Sequence, residues 1–201
     1  DEPGLGASFG NAGHIATEQI FPLANPAVLG NIPQMIFDRK GPLVLKPSYM
    51  MKFLPWSLRF LWASRPQAFE RGILATQSLN ELALKSWQDF LSEYDLSPLL
   101  QAKGSLEIFQ NHKTFAMANH MANHFRERNV KVDVLTADQV RQRVPALTGN
   151  VAGALFYPET AHCTNPHRLV KEIFNKAMAK GLIFTRDKIT HITKNQSGKP
   201  I

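Results

Sequence analysis

The sequence predicts a mixed α/β (α+β) fold, and three observations predict it. From Pro66 to Tyr94 apolar residues return at roughly three- and four-residue spacings, the period of a helix. At Gly104 that period gives way to alternation, and from there short strands and helices follow one another. Asn165-Pro166 is a strong helix start, a good capping residue followed by proline at the first helical position.

Taken in order, the chain opens on a glycine-rich stretch, with glycines at 4, 6, 10 and 13 among small residues. Glycine admits positive φ and close approach to the main chain, so this is a turn-rich loop. Residues 16–49 hold five prolines, which argue for extended chain with short helical pieces such as Ile32 to Phe37, Pro33 leading. Residues 50–62 are aromatic and basic, too short and too charged to span a bilayer. They read as a buried helix or as one lying at a membrane interface, with Trp56, Phe60 and Trp62 at headgroup level and Lys52 and Arg59 toward lipid phosphate.

The long helical pattern follows, starting behind Ser64 or Arg65, with Phe69, Ile73, Leu79, Leu82, Trp87, Phe90 and Leu91 as its apolar stripe. Gly104 is placed to end the helical region. Ser105 to Gln110 then reads as a strand with Leu106 and Ile108 on one face, and Lys113 to Arg128 as a helix. Val130 to Leu135 is a short strand, and Thr136-Ala-Asp-Gln139 is a capping box for a helix that stops at Pro145. Val151 to Tyr157 is another strand. The helix after Asn165 carries Leu169, Val170, Ile173, Phe174 and Ala177 inward and ends at Gly181. Leu182 to Thr185 and Ile189 to Thr193 read as strands.

Composition narrows the function. With 44% hydrophobic and 19% charged residues among 201, the chain is globular rather than disordered. Cys163 is the single cysteine, which excludes an internal disulfide and a cysteine-based zinc site. The net charge of +7 suits an anionic partner: nucleic acid, an anionic membrane or an anionic cofactor. Lys and Arg are scattered, however, so a solvated basic surface is the plain reading and no nucleic acid is expected.

Three constellations bear on chemistry. His120 and His124 share a helix four residues apart, but Met121 stands where a zinc-protease pattern needs Glu, so they read as solvated and no metal is expected. Glu159, His162 and Cys163 lie close in sequence, yet neighbours on extended chain point to opposite sides, which argues against a Cys–His nucleophile. The opening loop is Gly-x-Gly-x-x-x-Gly, neither the dinucleotide fingerprint nor a P-loop.

Ala7-Ser-Phe-Gly-Asn-Ala-Gly-His-Ile15, followed by Pro22 and Pro26, resembles the D-amino-acid dehydrogenase branch of the FAD-dependent amine and amino-acid oxidoreductases. Further likenesses follow in family order: the helical insert, Gly104 to Ile108, Val144-Pro-Ala-Leu147, Gly153-Ala-Leu-Phe-Tyr-Pro158, the Pro166 helix and Ile189-x-x-Ile192. The resemblance implies two interleaved domains. Residues 1–49 and 166–201 would belong to the FAD domain, 50–103 to the helical insert and 104–165 to the substrate-side sheet and helices.

It also implies that Ser8, Asn11, Ala12, Gly13 and His14 lie along the FAD, that Ile189 contacts the adenine, and that Asp1 or Glu2 is near the ribose-binding acid. The pyrophosphate-binding glycines of that family would precede Asp1, and the substrate-gripping arginine and tyrosine would follow Ile201. The chain is therefore expected to be an internal piece that by itself neither holds FAD tightly nor turns over. The implied substrate is a D-amino acid or related small amine, with electrons passing to a membrane quinone. The implied place is the cytoplasm, peripheral on the inner face of the plasma membrane. Two other readings stay open: a basic non-catalytic module for nucleic acid or anionic membrane, and one subunit of a heteromeric amino-acid oxidase.

Overall fold

The computed structural model describes residues 3–37, 46–187, 190–195 and 197–199. These fall into two compact units, one of Asp1–Asn11 with Asn165–Ile201, the other of Ala12–Thr164.

The larger unit begins with β1 (His14–Ile15), α1 (Pro26–Phe37), α2 (Met50–Ala63) and α3 (Pro66–Glu93). After β2 (Leu100–Gln101) come β3 (Ser105–Phe109), α4 (His112–Glu127), β4 (Asp133–Thr136), α5 (Ala137–Arg143), β5 (Gly153–Tyr157) and β6 (Ala161–Cys163). Its centre is an antiparallel sheet in the order β3-β5-β4, with Leu155 opposite both Glu107 and Val134. Alternation along β5 sends Leu155 and Tyr157 to one face and Ala154 to the other. On the first face α4 lays Ala118 and Ala122 against Leu155, Tyr157 and Val132. On the second, Val140 of α5 closes over Ala154 and Val151, with Leu106, Ile108 and Leu135 around them. Burying Leu155, only 1% exposed, is worth about 2 kcal/mol. Thr136 begins α5 with the capping box, its hydroxyl accepting from the Gln139 amide while the Gln139 side chain accepts from the Thr136 amide. The strand–helix–strand–helix–strand order after Gly104 thus follows the sequence pattern closely.

Three helices end alike. Leu96, Val130 and Leu182 donate back to Leu91, Phe125 and Ala177 at 2.7, 3.0 and 3.0 Å. The preceding residues Asp95, Asn129 and Gly181 take φ of +58°, +58° and +89°. This is the left-handed Schellman end. It closes α3 at Asp95, nine residues before Gly104, which instead opens β3 with φ +78°.

Other elements differ from the sequence reading. α1 starts at Pro26, not Ile32, because Asn25 caps it by accepting from the Ala27 amide at 2.9 Å. The helix then continues through Pro33, whose missing N–H leaves one helical bond unmade. Ile73 and Leu91 of α3 are buried, while Leu79 and Leu82 face solvent. A helix of 28 residues spans roughly 40 Å, and Ile73 and Leu91 are its buried residues. The two-residue strands β1 and β2 and the short β6 carry too little periodicity to be legible, and β6 pairs with both.

In the smaller unit α6 (Pro166–Ala179) is capped by Asn165, which accepts from the Arg168 amide at 2.9 Å, and Leu169 is its buried residue. The glycine loop packs on its first turns. A Cβ on Gly4 would stand 3.0 Å from the His167 ring and 3.2 Å from Val170, and Phe9 meets the His167 ring edge-on at 5.6 Å. Residues 182–187 form no strand. Phe184 instead packs on Phe174, ring centroids 5.1 Å apart. Ile189, and with it the start of the last expected strand, lies outside the described residues, as do Asp1 and Glu2.

Candidate functional site

The larger unit builds a cleft where β1, β3, α4 and β5 come together. The chain enters through β1, which pairs with β6 so that His14 stands opposite His162 and Ile15 opposite Ala161. The Cys163 amide donates to the Gly13 carbonyl at 2.7 Å, which pins the entry. Past β1 the chain turns tightly. The Asn80 side chain, reaching over from α3, donates to the carbonyls of Thr17 and Gln19 at 3.3 and 3.2 Å. Thr17 Oγ1 donates to the Glu159 carbonyl at 2.9 Å. With Ile20 driven into the core, the turn carries Glu18 inward, leaving it 9% exposed.

Glu18 Oε1 lies 3.1 Å from His14 Nε2, an ion pair whenever the imidazole is protonated. Its other oxygen, Oε2, is buried and has no hydrogen-bond partner among the described residues. Across the cleft Tyr157 donates its phenolic hydrogen to Glu107 Oε2 at 3.2 Å. Burial pushes the Tyr157 phenol well above its ordinary value, and the Glu107 charge, their hydrogen bond and then the Glu18 charge push further. The cleft holds about 500 Å³, and His14, Glu18, Phe21, Glu107, Phe125 and Tyr157 are among its walls. Phe125 bridges the aromatic wall, with its centroid 5.1 Å from Phe21 and 5.6 Å from Tyr157.

Of the described residues expected along the FAD, His14 alone lines this cleft. Ser8 and Asn11 fall in the smaller unit, where the Asn11 amide donates to the Ser8 carbonyl at 3.5 Å. Ala12, Gly13 and His14 open the larger one. His120 and His124 are exposed, their rings 5.4 Å apart, and His124 Nδ1 lies 3.2 Å from Glu127. No cluster of three metal-ligating side chains occurs among the described residues. Cys163 is buried while His162 faces out, as alternation on β6 requires. Glu159 pairs with Lys131 instead. Sequence reasoning missed Glu18, Asn80, Glu107 and Tyr157. No local pattern marks them: Glu18 stands between Thr17 and Gln19.

The model of the family described as FAD dependent oxidoreductase, DAO, matches residues 1–201. A D-amino-acid oxidase of Bradyrhizobium diazoefficiens is 29% identical over 94% of this chain and 45% of its own length. A D-amino acid dehydrogenase 2 of Ralstonia nicotianae is 30% identical over 88% of this chain and 42% of its own. Glycine oxidase from Bacillus cereus aligns over 51% of this chain and 30% of its own, at 24% identity and a TM-score of 0.43. The chain thus spans less than half the length of these curated relatives. With the whole chain covered by one family model, the protein belongs to the DAO family of FAD-dependent oxidoreductases.

Proposed function

We propose that this chain serves the oxidative deamination of D-amino acids, with Ser8, Asn11, Ala12, Gly13 and His14 along the FAD and Ile189 at its adenine. The observation that carries the reading is the family match over the full chain, beside relatives named for D-amino acids. The loop suits the cofactor in kind. At Gly6 and Gly10 a Cβ would meet nothing within 4 Å, and Gly10 takes φ +72°, so bare main chain is open to a flat ligand there. FAD, when bound, accepts hydride from the substrate α-carbon, and the imino acid released hydrolyses to keto acid and ammonia. What this chain contributes is placement. The Gly13–Cys163 bond fixes Gly13 at β6, just before His14, and Phe21 and Phe125 give the cleft an apolar wall.

The test is anaerobic addition of a panel of D-amino acids to the FAD-loaded holoenzyme, not to residues 1–201 alone. Bleaching of the flavin's visible band by the D but not the L enantiomers is expected. A bound flavin that stays oxidised with every D-amino acid would overturn the reading.

A second proposal concerns the electron acceptor. Among the described residues no helix is long and apolar enough to cross a membrane. Yet α2 has no buried residue, and Met51, Trp56, Leu58 and Trp62 stand on its surface. Residues 46–65 include Lys46, Lys52, Arg59 and Arg65 and no acid. That composition suits an anionic membrane face from which a quinone could be reached.

A further inference from the structure

The outer face of α4 carries a pattern that flavin chemistry does not use. Met117, His120, Met121 and His124 stand at i, i+3, i+4 and i+7, so one side of the helix presents all four. Ala118 and Ala122 take the inner side, packed on the sheet. The four are exposed, Met117 and Met121 at 64% and 40%, although methionine is a side chain that folded proteins usually bury.

The two imidazoles already converge, with ring centroids 5.4 Å apart. Two imidazoles that share one ion through nitrogens at about 2.0 Å bring their ring centres to about 5 Å, so small side-chain rotations close the difference. His124 Nδ1 lies 3.2 Å from Glu127 Oε2. With the Nδ1 hydrogen given to that carboxylate, Nε2 carries the lone pair that a metal needs. A carboxylate behind the far ring nitrogen is the usual outer partner of a metal-bound histidine, fixing its tautomer and raising its basicity. The neighbouring cations are engaged elsewhere: Arg128 meets Glu70 at 2.8 Å, and Arg126 donates to the Val132 carbonyl at 3.1 Å. His124 is also in the last turn of α4, where the partial negative charge of the helix end favours a cation.

Among the described residues no three His, Cys, Asp or Glu side chains meet, so further protein donors here are thioethers. Met121, the residue that breaks the zinc-protease pattern, lies between the two imidazoles along the helix, and Met117 precedes His120 by one turn. Imidazole suits zinc, copper, nickel and iron, whereas thioether selects cuprous copper; copper is the ion that both accept. We propose that this face of α4 binds one cuprous ion, through the imidazoles of His120 and His124 and thioether sulfur from the Met117–Met121 pair. Glu127 is its positioning residue, acting through His124. The site shares no residue with the cleft, so it stands or falls apart from the deamination reading.

The test uses the full-length protein without an affinity tag, titrated anaerobically with Cu(I) in competition with the chromophoric chelator bicinchoninate. The parent is expected to take one copper equivalent more than the His120→Ala, His124→Ala double variant. Either single substitution is expected to lose most of that affinity. Glu127→Gln is expected to weaken it about tenfold, the lower end of the range for a carboxylate behind a ligating imidazole. All these positions are exposed, so the variants should keep the fold, which equal thermal unfolding of the metal-free proteins checks. Met117→Leu with Met121→Leu is expected to lower Cu(I) affinity while leaving Zn(II) binding, which needs the imidazoles alone, unchanged. Equal Cu(I) uptake by the parent and the double histidine variant overturns the proposal. So does a Cu(I) affinity untouched by the loss of both thioethers.

Discussion

Tyr157 donates to Glu107 Oε2 at 3.2 Å across the β3–β5 ladder, where Glu107 is paired with Leu155, two residues before the tyrosine. Both side chains therefore stand on the face that α4 covers. The phenol is held protonated by burial first and by the Glu107 charge second. An ordinary phenol ionises near ~10. Above that pH the unfolded chain releases this proton while the folded chain keeps it, so stability is complete below ~10 and falls as pH rises through the folded value. Chemical denaturation between neutral and strongly alkaline pH should show this decline. Tyr157→Phe should flatten it, at a cost of about 1 kcal/mol near neutrality for the lost hydrogen bond. A variant with as steep an alkaline decline as the parent would place its origin elsewhere.

Gly153 opens β5 with the ring of Phe115 lying where its Cβ would be. Adding one methyl there forces the ring aside in a packed interior. Gly153→Ala should therefore cost about 1–3 kcal/mol, the range for overpacking. Combining it with Phe115→Leu should recover part of the loss, since the two changes share one space. Additive losses in the double variant would mean that the ring is not the obstacle.

Asp95 pays for a left-handed conformation, φ +58°, at the end of α3. That region costs an ordinary L-residue roughly 1–2 kcal/mol, and Asp somewhat less. Asp95→Gly should raise stability by about 0.5 kcal/mol, because relief of strain outweighs glycine's extra freedom in the unfolded chain. The opposite change, Gly181→Ala at φ +89°, should lower it by about 1 kcal/mol. Thermal unfolding of both variants checks the pair of signs.

What was legible in the sequence was whatever local chemistry decides. The capping box at Thr136, the Asn165-Pro166 start and the alternation of Leu106 and Ile108 appear in the structure much as read. The same Asn-Pro signal at Asn25-Pro26 was obscured by Pro33, which a helix tolerates at the loss of one bond. The cleft was not legible because its parts are remote. Glu18 and Tyr157 are 139 residues apart, and the pairing of β1 with β6, the Thr17–Glu159 hydrogen bond and the hold of Asn80 on the turn after β1 bring them to one space. An isolated glutamate in a proline-rich stretch carries no sign of that.

The surface of α2 makes a prediction that is independent of the cleft. Phe53, Trp56 and Phe60 stack along it with centroids 4.8 and 5.1 Å apart, and Arg65 lies 3.4 Å over the Trp62 ring. If this face sits on lipid, its aromatic rings supply apolar burial, and Lys52 and Arg59 of α2 with the flanking Lys46 and Arg65 supply attraction to headgroups. The protein should then pellet with vesicles containing phosphatidylglycerol and much less with phosphatidylcholine alone. Salt should weaken the binding, since exposed charges are screened within about 10 Å at 0.1 M. Trp56→Ala with Trp62→Ala should weaken it at any salt, by removing buried apolar area. Arg59→Glu should act on the anionic vesicles alone. Pelleting unchanged by the tryptophan pair would show that α2 is not the lipid-facing element and would remove the quinone route from the proposal.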